Sequence, residues 1–460
     1  MMKESSKFST VCSSQRFKTL RWDSLAEAVG DLSTRSDECL NERDQVALTQ
    51  PDVVKEFLCP VSSTLKSSII QFRESFSNDI HNPIPSSRFI ITGPREVNDH
   101  HQAIACSYWL LNKSNISTSD SIINTKKLPD KVQKLYSSNN PPLKNLKLAM
   151  NLNISGEIKT SNSSYMTQTV FHGVFACRVL LMTLASQIPI IGEIGDPIGL
   201  EYFKDLFGCG MVGPGTIESQ VHRELASGVP FSIGFSASSF RSVFSSDILN
   251  HKVQKAIDAI LASADPHYFL SVTKLGNVAI TSSSGNKDSF LVIPIQYNSI
   301  VLEFNYVVGV VDGLLEGVHT PKIVLDVGKV SSVNLREVLE LLEQILRALT
   351  LRNFIIGFII DSGDRYVPDN IEGEPTTHQI TQDDYESLDE KENFSVMSEN
   401  IGIKRPSMRN KIFTSVKSSY SKIRSTLTDK RNSDIGQYQD LIYADILINE
   451  IEQLIENLKT

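Results

Sequence analysis

Short apolar runs and amphipathic stretches alternate along the middle of this chain. Phe89-Ile-Ile-Thr92, closed by Gly93 and Pro94, predicts a buried strand. Strand-like runs recur at residues 146–154, 188–194, 210–212, 231–235, 268–273, 322–327 and 354–360. Between them, residues 174–186, 200–207, 250–264 and 335–351 carry the apolar spacing of helices. Strand alternating with helix over about 300 residues suits a parallel sheet closed into a barrel better than an antiparallel fold.

The flanks read differently. Residues 1–45 are polar and rich in Ser and Thr, apart from an amphipathic patch at 22–29, and are expected to form a disordered tail. Residues 46–87 read as a helical extension, with short amphipathic helices at 52–58 and 65–76. Beyond Asp361 the alternation fails. Acidic residues cluster from Glu372 to Glu392, and basic residues from Lys404 to Arg424. This predicts a long charged, disordered insertion at about 363–424, either a docking or phosphorylation segment or a tolerated loop. An amphipathic helix at 440–458 closes the chain, with Leu441, Ile448, Ile451 and Ile455 on one side.

Composition narrows the class. The 460 residues are 40% hydrophobic and 21% charged, as in soluble globular proteins. A net charge of −8 argues against a general nucleic-acid binder, which needs a basic face. No apolar run approaches the roughly 20 residues of a membrane span. The six cysteines show no CxxC spacing and read as scattered intracellular thiols. Lys3, Lys7, Arg16, Lys18 and Arg21 lie among serines without a secretory apolar core. The expected location is cytoplasmic, with a mitochondrial presequence as the alternative.

The densest polar block is Glu218-Ser-Gln-Val-His-Arg-Glu-Leu-Ala-Ser-Gly228, after a strand end at Val212 and a turn at Gly213-Pro-Gly215. A surface helix start is one reading. The other is chemistry, because α/β barrels hold their active sites at the carboxyl ends of their strands.

That block resembles the corresponding block of class I DAHP synthases. The resemblance continues through Val253–Ile260, Pro266–Lys274, Gly276–Ile280 and Ser284-Gly-Asn286 with Asp288. Upstream it includes Arg88–Pro94 with Asp99, and Gly192-Glu193 with Asp196, so that it spans about 51–362. It implies an α/β (β/α)8 TIM barrel with helices before it that serve oligomer contacts. It also implies an aldol-type condensation of phosphoenolpyruvate with erythrose 4-phosphate, opening the route to aromatic amino acids. In that family a divalent metal such as manganese is held by a Cys, a His, a Glu and an Asp.

The departures change the functional reading. The family's Gly-Pro-Cys-Ser-Ile-His-Asp corresponds to Gly93-Pro-Arg95-Glu-Val-Asn-Asp99, so Arg95 replaces the Cys ligand. Its Asp-Phe-Ser-His corresponds to Asp326-Val-Gly-Lys329, so Lys329 replaces the His. The Glu ligand becomes Asp361, and Asp429 is the best match for the last. Arg cannot ligate a metal and a protonated Lys repels one. Five substrate-binding cations fall on Asn151, Gly156, Gly215, Ser236 and Pro294. At about 1.5–3 kcal/mol for each charge-assisted contact, their loss removes essentially all affinity for the phosphorylated substrates.

No metal, cofactor or catalytic residue is therefore expected, and Glu193, a family pocket acid, is expected to be vestigial. His222 and His267 read as structural, and Lys274 as a strand cap. Arg95, Lys329, Asp361 and Asp429 are expected to form a neutral cluster in place of the ion. The reading that follows is a pseudoenzyme acting as a regulatory or scaffold partner in a homo- or hetero-oligomer, including one with an active paralogue. The alternatives are an active DAHP synthase, or a metal-free enzyme using Asp326, Asp361, Asp429 and a Schiff base on Lys329.

Overall fold

The computed structural model describes residues 49–85, 87–94, 97, 100–114, 128–137, 143–152, 158–159, 167–168, 174–237, 246–297, 300–317, 322–366 and 433–459. From Gln50 onward these belong to one compact unit. The N-terminal tail, and the insertion past Tyr366, lie outside the described residues.

Eight parallel strands close into a barrel. They are β1 (Arg88–Gly93), β2 (Leu146–Leu152), β3 (Ile190–Glu193), β4 (Cys209–Val212), β5 (Ile233–Ser236), β6 (Ser289–Pro294), β7 (Ile323–Lys329) and β8 (Ile355–Asp361). Each pairs with its neighbours in chain order, and β1 closes the ring by pairing with both β2 and β8, Phe89 standing beside Lys147 and Gly357. The fold is a (β/α)8 barrel. These strands read as apolar runs rather than alternations because both faces are buried, one by the barrel interior and one by the helices.

The helix α1 (Ser63–His81) precedes the ring. One helix then follows each strand: α2 (His100–Lys113), α3 (Val174–Ala185), α4 (Pro197–Phe203), α5 (Gln220–Gly228), α6 (Ser246–Ala264), α7 (Phe304–Gly317), α8 (Leu335–Arg347) and α9 (Gln439–Lys459). Among the described residues no helix is long and apolar enough to cross a membrane. The 335–351 helix expected from sequence stops at Arg347, because Ala348 takes an extended backbone before a short turn at Leu349–Arg352.

One expected barrel strand is not in the barrel. Residues 268–273 read as a member of the series, yet Tyr268–Val272 pairs antiparallel with Val278–Ser282 in a separate hairpin. The barrel strand is instead Ser289–Pro294, buried at every position. Burial in the first hairpin strand alternates, with Phe269 inside and Tyr268 and Leu270 outside. Apolar residues on both faces disguised that alternation as a continuous run.

The helical extension is not peripheral either. Phe76 and Ile80 of α1 are fully buried in the barrel core with Phe89, Ile91, Phe290, Val292, Val324 and Ile356. The Phe76 ring stacks 4.3 Å from Phe89 and 5.4 Å from Phe290. At the same end Lys322, just before β7, donates to Asn82 O and Asn353 O, tying the residue that ends α1 to the barrel. Thus α1 plugs the amino-terminal mouth of the ring.

The last helix, α9, arrives after residues 367–432 and packs between α8 and α2. Buried Lys113 of α2 lies 2.7 Å from Asp445, which also accepts from Trp109 Nε1 at 3.1 Å. Lys113 Nζ donates to Asn449 as well, and the Glu452 carboxylate accepts from the backbone of Lys144 and Asn145. These contacts seat α9 as the eighth barrel helix despite its distance along the chain.

Candidate functional site

In a parallel barrel all strand ends of one kind share a rim. The carboxyl rim here carries Gly93, Leu152, Glu193, Val212, Ser236, Pro294, Lys329 and Asp361. Every described position singled out from sequence for metal or substrate binding lies on this rim or in the residues just after it.

Lys329 and Asp361 end adjacent strands and are register partners. The Lys329 ammonium does not turn first to Asp361. It lies 2.5 Å from an Asp440 carboxylate oxygen in the first turn of α9. That hydrogen bond, helped by the charges of Asp440, Asp361 and Asp364, raises the Lys329 pKa above its ordinary value. Asp361 Oδ1 accepts from the Gly363 backbone at 2.9 Å. Gly363 takes φ +71°, and a Cβ there would lie 2.8 Å from that of Asp440. Glycine at this turn lets the start of α9 approach the rim.

Behind Lys329 the strand end is braced. The Gln296 amide donates to Val327 O and Lys329 O, and accepts from Asn334 Nδ2. Buried Asp326 accepts from Gly328 N at 2.9 Å. Across the ring, Gly213 leaves room for the Glu193 carboxylate, since a Cβ there would meet Oε1 at 2.6 Å.

Of the expected four-residue cluster, the structure brings Lys329 and Asp361 together, while Arg95 and Asp429 lie outside the described residues. The ion-pair partner of Lys329 is Asp440, which sequence reading passed over. A usable signal existed: in a (β/α)8 barrel each helix begins at the rim where its strand ends. An acid in the first turn of the closing helix therefore belongs beside β7 and β8.

The donor set is poorly matched to a metal ion. A protonated amine has no lone pair to give and repels a cation. Among the described residues no group of three or more His, Cys, Asp or Glu side chains could hold an ion. Asn151, Gly215, Ser236 and Pro294 stand at or just past the ends of β2, β4, β5 and β6, where none of them can offer a cation. Gly156 lies outside the described residues.

The 218–228 block leads into α5 at Gln220, and its polar groups are committed to structure. His222 hydrogen-bonds to Ser219 Oγ and Gly195 O, Arg223 Nε donates to Ile217 O, and Glu218 pairs with Lys252 at 3.2 Å. Asp196 caps α4 by accepting from Ile198 N and Gly199 N. Asn286 bridges Ala226 O and Phe231 O, and His267 bonds Ala262 O. Lys274 sits in the hairpin turn, its carbonyl accepting from Asp52 N.

The fold and rim define a (β/α)8 barrel protein whose strand ends converge on one carboxyl mouth. The model of the DAHP synthetase I family matches residues 85–314, half of the chain, and the chain belongs to that family. It is 33% identical over 247 residues to the phenylalanine-inhibited phospho-2-dehydro-3-deoxyheptonate aldolase of Saccharomyces cerevisiae, covering 54% of this chain and 59% of that one. It is 41% identical over 122 residues to the Phe-sensitive aldolase of Escherichia coli K12, covering 26% of this chain and 32% of that one. The chain thus spans less than two thirds of these relatives. The structure of the Francisella tularensis aldolase superposes with a TM-score of 0.51 at 23% identity, over 76% of this chain and 97% of that one, and shares the fold.

Proposed function

We propose that this chain is a non-catalytic member of its family, acting as a regulatory or scaffold partner rather than as a synthase. The observation that carries the reading is the Lys329–Asp440 pair. Where the family resemblance puts a neutral histidine ligand, this chain has an amine whose pKa is raised above its ordinary value and which is held by its own carboxylate. The Arg95 replacement and the five vacated cation positions point the same way. A raised amine pKa also disfavours Schiff-base chemistry, which needs the neutral amine.

A second reading is favoured by the relatives, which are named as aldolases: an active DAHP synthase with a rebuilt mouth. One assay separates them. The full chain with manganese, phosphoenolpyruvate and erythrose 4-phosphate is expected to consume no phosphoenolpyruvate beyond a boiled control, and titration calorimetry is expected to show no stoichiometric manganese binding. Turnover above the control establishes the synthase. Affinity purification from the native cells then tests the partner role, with near-stoichiometric recovery of an active family enzyme as the expected result.

A further inference from the structure

The amino-terminal end of the barrel, opposite the rim, buries two cations together. Arg88, the first residue of β1, is 8% exposed, and Lys322, just before β7, is 4% exposed. Both heads are held between the same two segments of backbone. The Arg88 guanidinium donates to Pro85 O at 3.2 Å and to Arg352 O at 2.9 Å. The Lys322 ammonium donates to Asn82 O at 2.7 Å and to Asn353 O at 2.9 Å. Because Arg352 O and Asn353 O are consecutive carbonyls, the two groups are neighbours, and the Arg88 charge adds to the burial that pushes the Lys322 amine down to about 8.

Carbonyl oxygens orient these cations without neutralising them. Arg352 and Asp79 act on Arg88, and Arg88 and Asp79 act on Lys322. Three cations therefore face one carboxylate, which Lys147 already pairs at 3.1 Å. Glu452, buried at the same end, is committed to the backbone amides of Lys144 and Asn145. Buried charge is ordinarily matched by a counter-charge. Donors are left over as well. Among the described residues Arg88 Nε has no hydrogen-bond partner, and Lys322 uses two of the three donors of an ammonium. Residues 82–84, which supply Asn82 O, are exposed, so the pair lies one layer of chain below solvent.

We infer that Arg88 Nε and Lys322 Nζ hold a small oxyanion of the phosphate class at the amino-terminal end of the barrel. A tetrahedral oxyanion presents oxygens in several directions. One ion can accept from the free guanidinium edge and from the third ammonium donor while supplying the missing negative charge. Its binding ties the end of α1 to β1 and β7, and so stabilises the fold by mass action. The inference stands independently of whether the barrel mouth is catalytic.

Calorimetric titration of the full chain with inorganic phosphate, at constant ionic strength and about pH 7.5, tests it. Saturable binding with a Kd below about 1 mM is expected. Lys322→Met removes one charged donor and is expected to weaken binding about 10-fold or more. Lys329→Met, at the opposite end of the same strand, is expected to leave binding unchanged, which separates this site from phosphate held in the mouth. Sulfate keeps its charge over the range and is expected to protect the wild type from urea more at about pH 7.5 than at about pH 9.5, because the Lys322 ammonium is lost across that window. Lys322→Met is expected to abolish the difference, and Lys322→Gln takes its place if that variant does not fold. No saturable binding up to about 10 mM phosphate overturns the proposal. Equal affinity in the wild type and a folded Lys322 variant does so too, as does loss of binding in Lys329→Met or sulfate protection that ignores pH.

Discussion

Lys329 and Lys322 carry the same charge at opposite ends of one strand, yet burial gives them opposite thermodynamics. Lys329 is largely exposed, and its pKa is raised chiefly by the Asp440 hydrogen bond. Its contribution is full below the ordinary amine pKa and disappears only as pH rises past the raised value. Solvent screening limits the pair to about 0–1 kcal/mol. A double-mutant cycle of Lys329→Met and Asp440→Asn, read by urea unfolding at pH 7, is expected to show coupling in that range.

Lys322 is buried, and desolvation lowers its pKa to about 8, with the nearby Arg88 charge adding to the effect. Between pH 8 and the unfolded value of 10.5 the folded state binds fewer protons, so stability rises with pH across that window. At 1.36 kcal/mol per unit the rise is at most about 3 kcal/mol. Urea unfolding at pH 7.5 and 9.5 is expected to show a smaller gain in Lys322→Met than in the wild type, the difference isolating this group.

At the scale of elements, two helices outside the central strand–helix series decide whether the ring is complete. Phe76 of α1 fills the amino-terminal mouth, and Phe76→Ala is expected to cost about 3–5 kcal/mol through a cavity among Phe89 and Phe290. Closing the ring on the other side, α9 depends on the buried Lys113–Asp445 pair. Asp445→Ala leaves the buried Lys113 ammonium without its counter-charge and the Trp109 N–H without its acceptor, and is expected to cost about 3–5 kcal/mol by chemical denaturation. A chain cut at 432 is expected to aggregate, because it exposes Trp109 and the apolar side of α8. If it stays folded and monomeric, α9 is dispensable.

For the whole molecule, the apolar rhythm pointed to a parallel barrel before any contact was known, and the resemblance to DAHP synthases supplied the eight strands. Periodicity carried that far because a parallel ring buries both faces of every strand and one stripe of every helix. Residue identity alone also put two cations, Arg95 and Lys329, where the resemblance implies metal ligands, since charge near neutral pH is a property of the side chain. Other features had no local signature. The 268–273 run and the 289–294 run have similar apolar content, and only three-dimensional pairing sent one to a hairpin and the other to the ring. That Phe76 plugs the barrel, and that Asp440 pairs with Lys329, was likewise decided by tertiary structure. Ring closure brings the start of α9 to the rim across 66 intervening residues, 367–432, and no pattern of nearby positions encodes a contact made at that range.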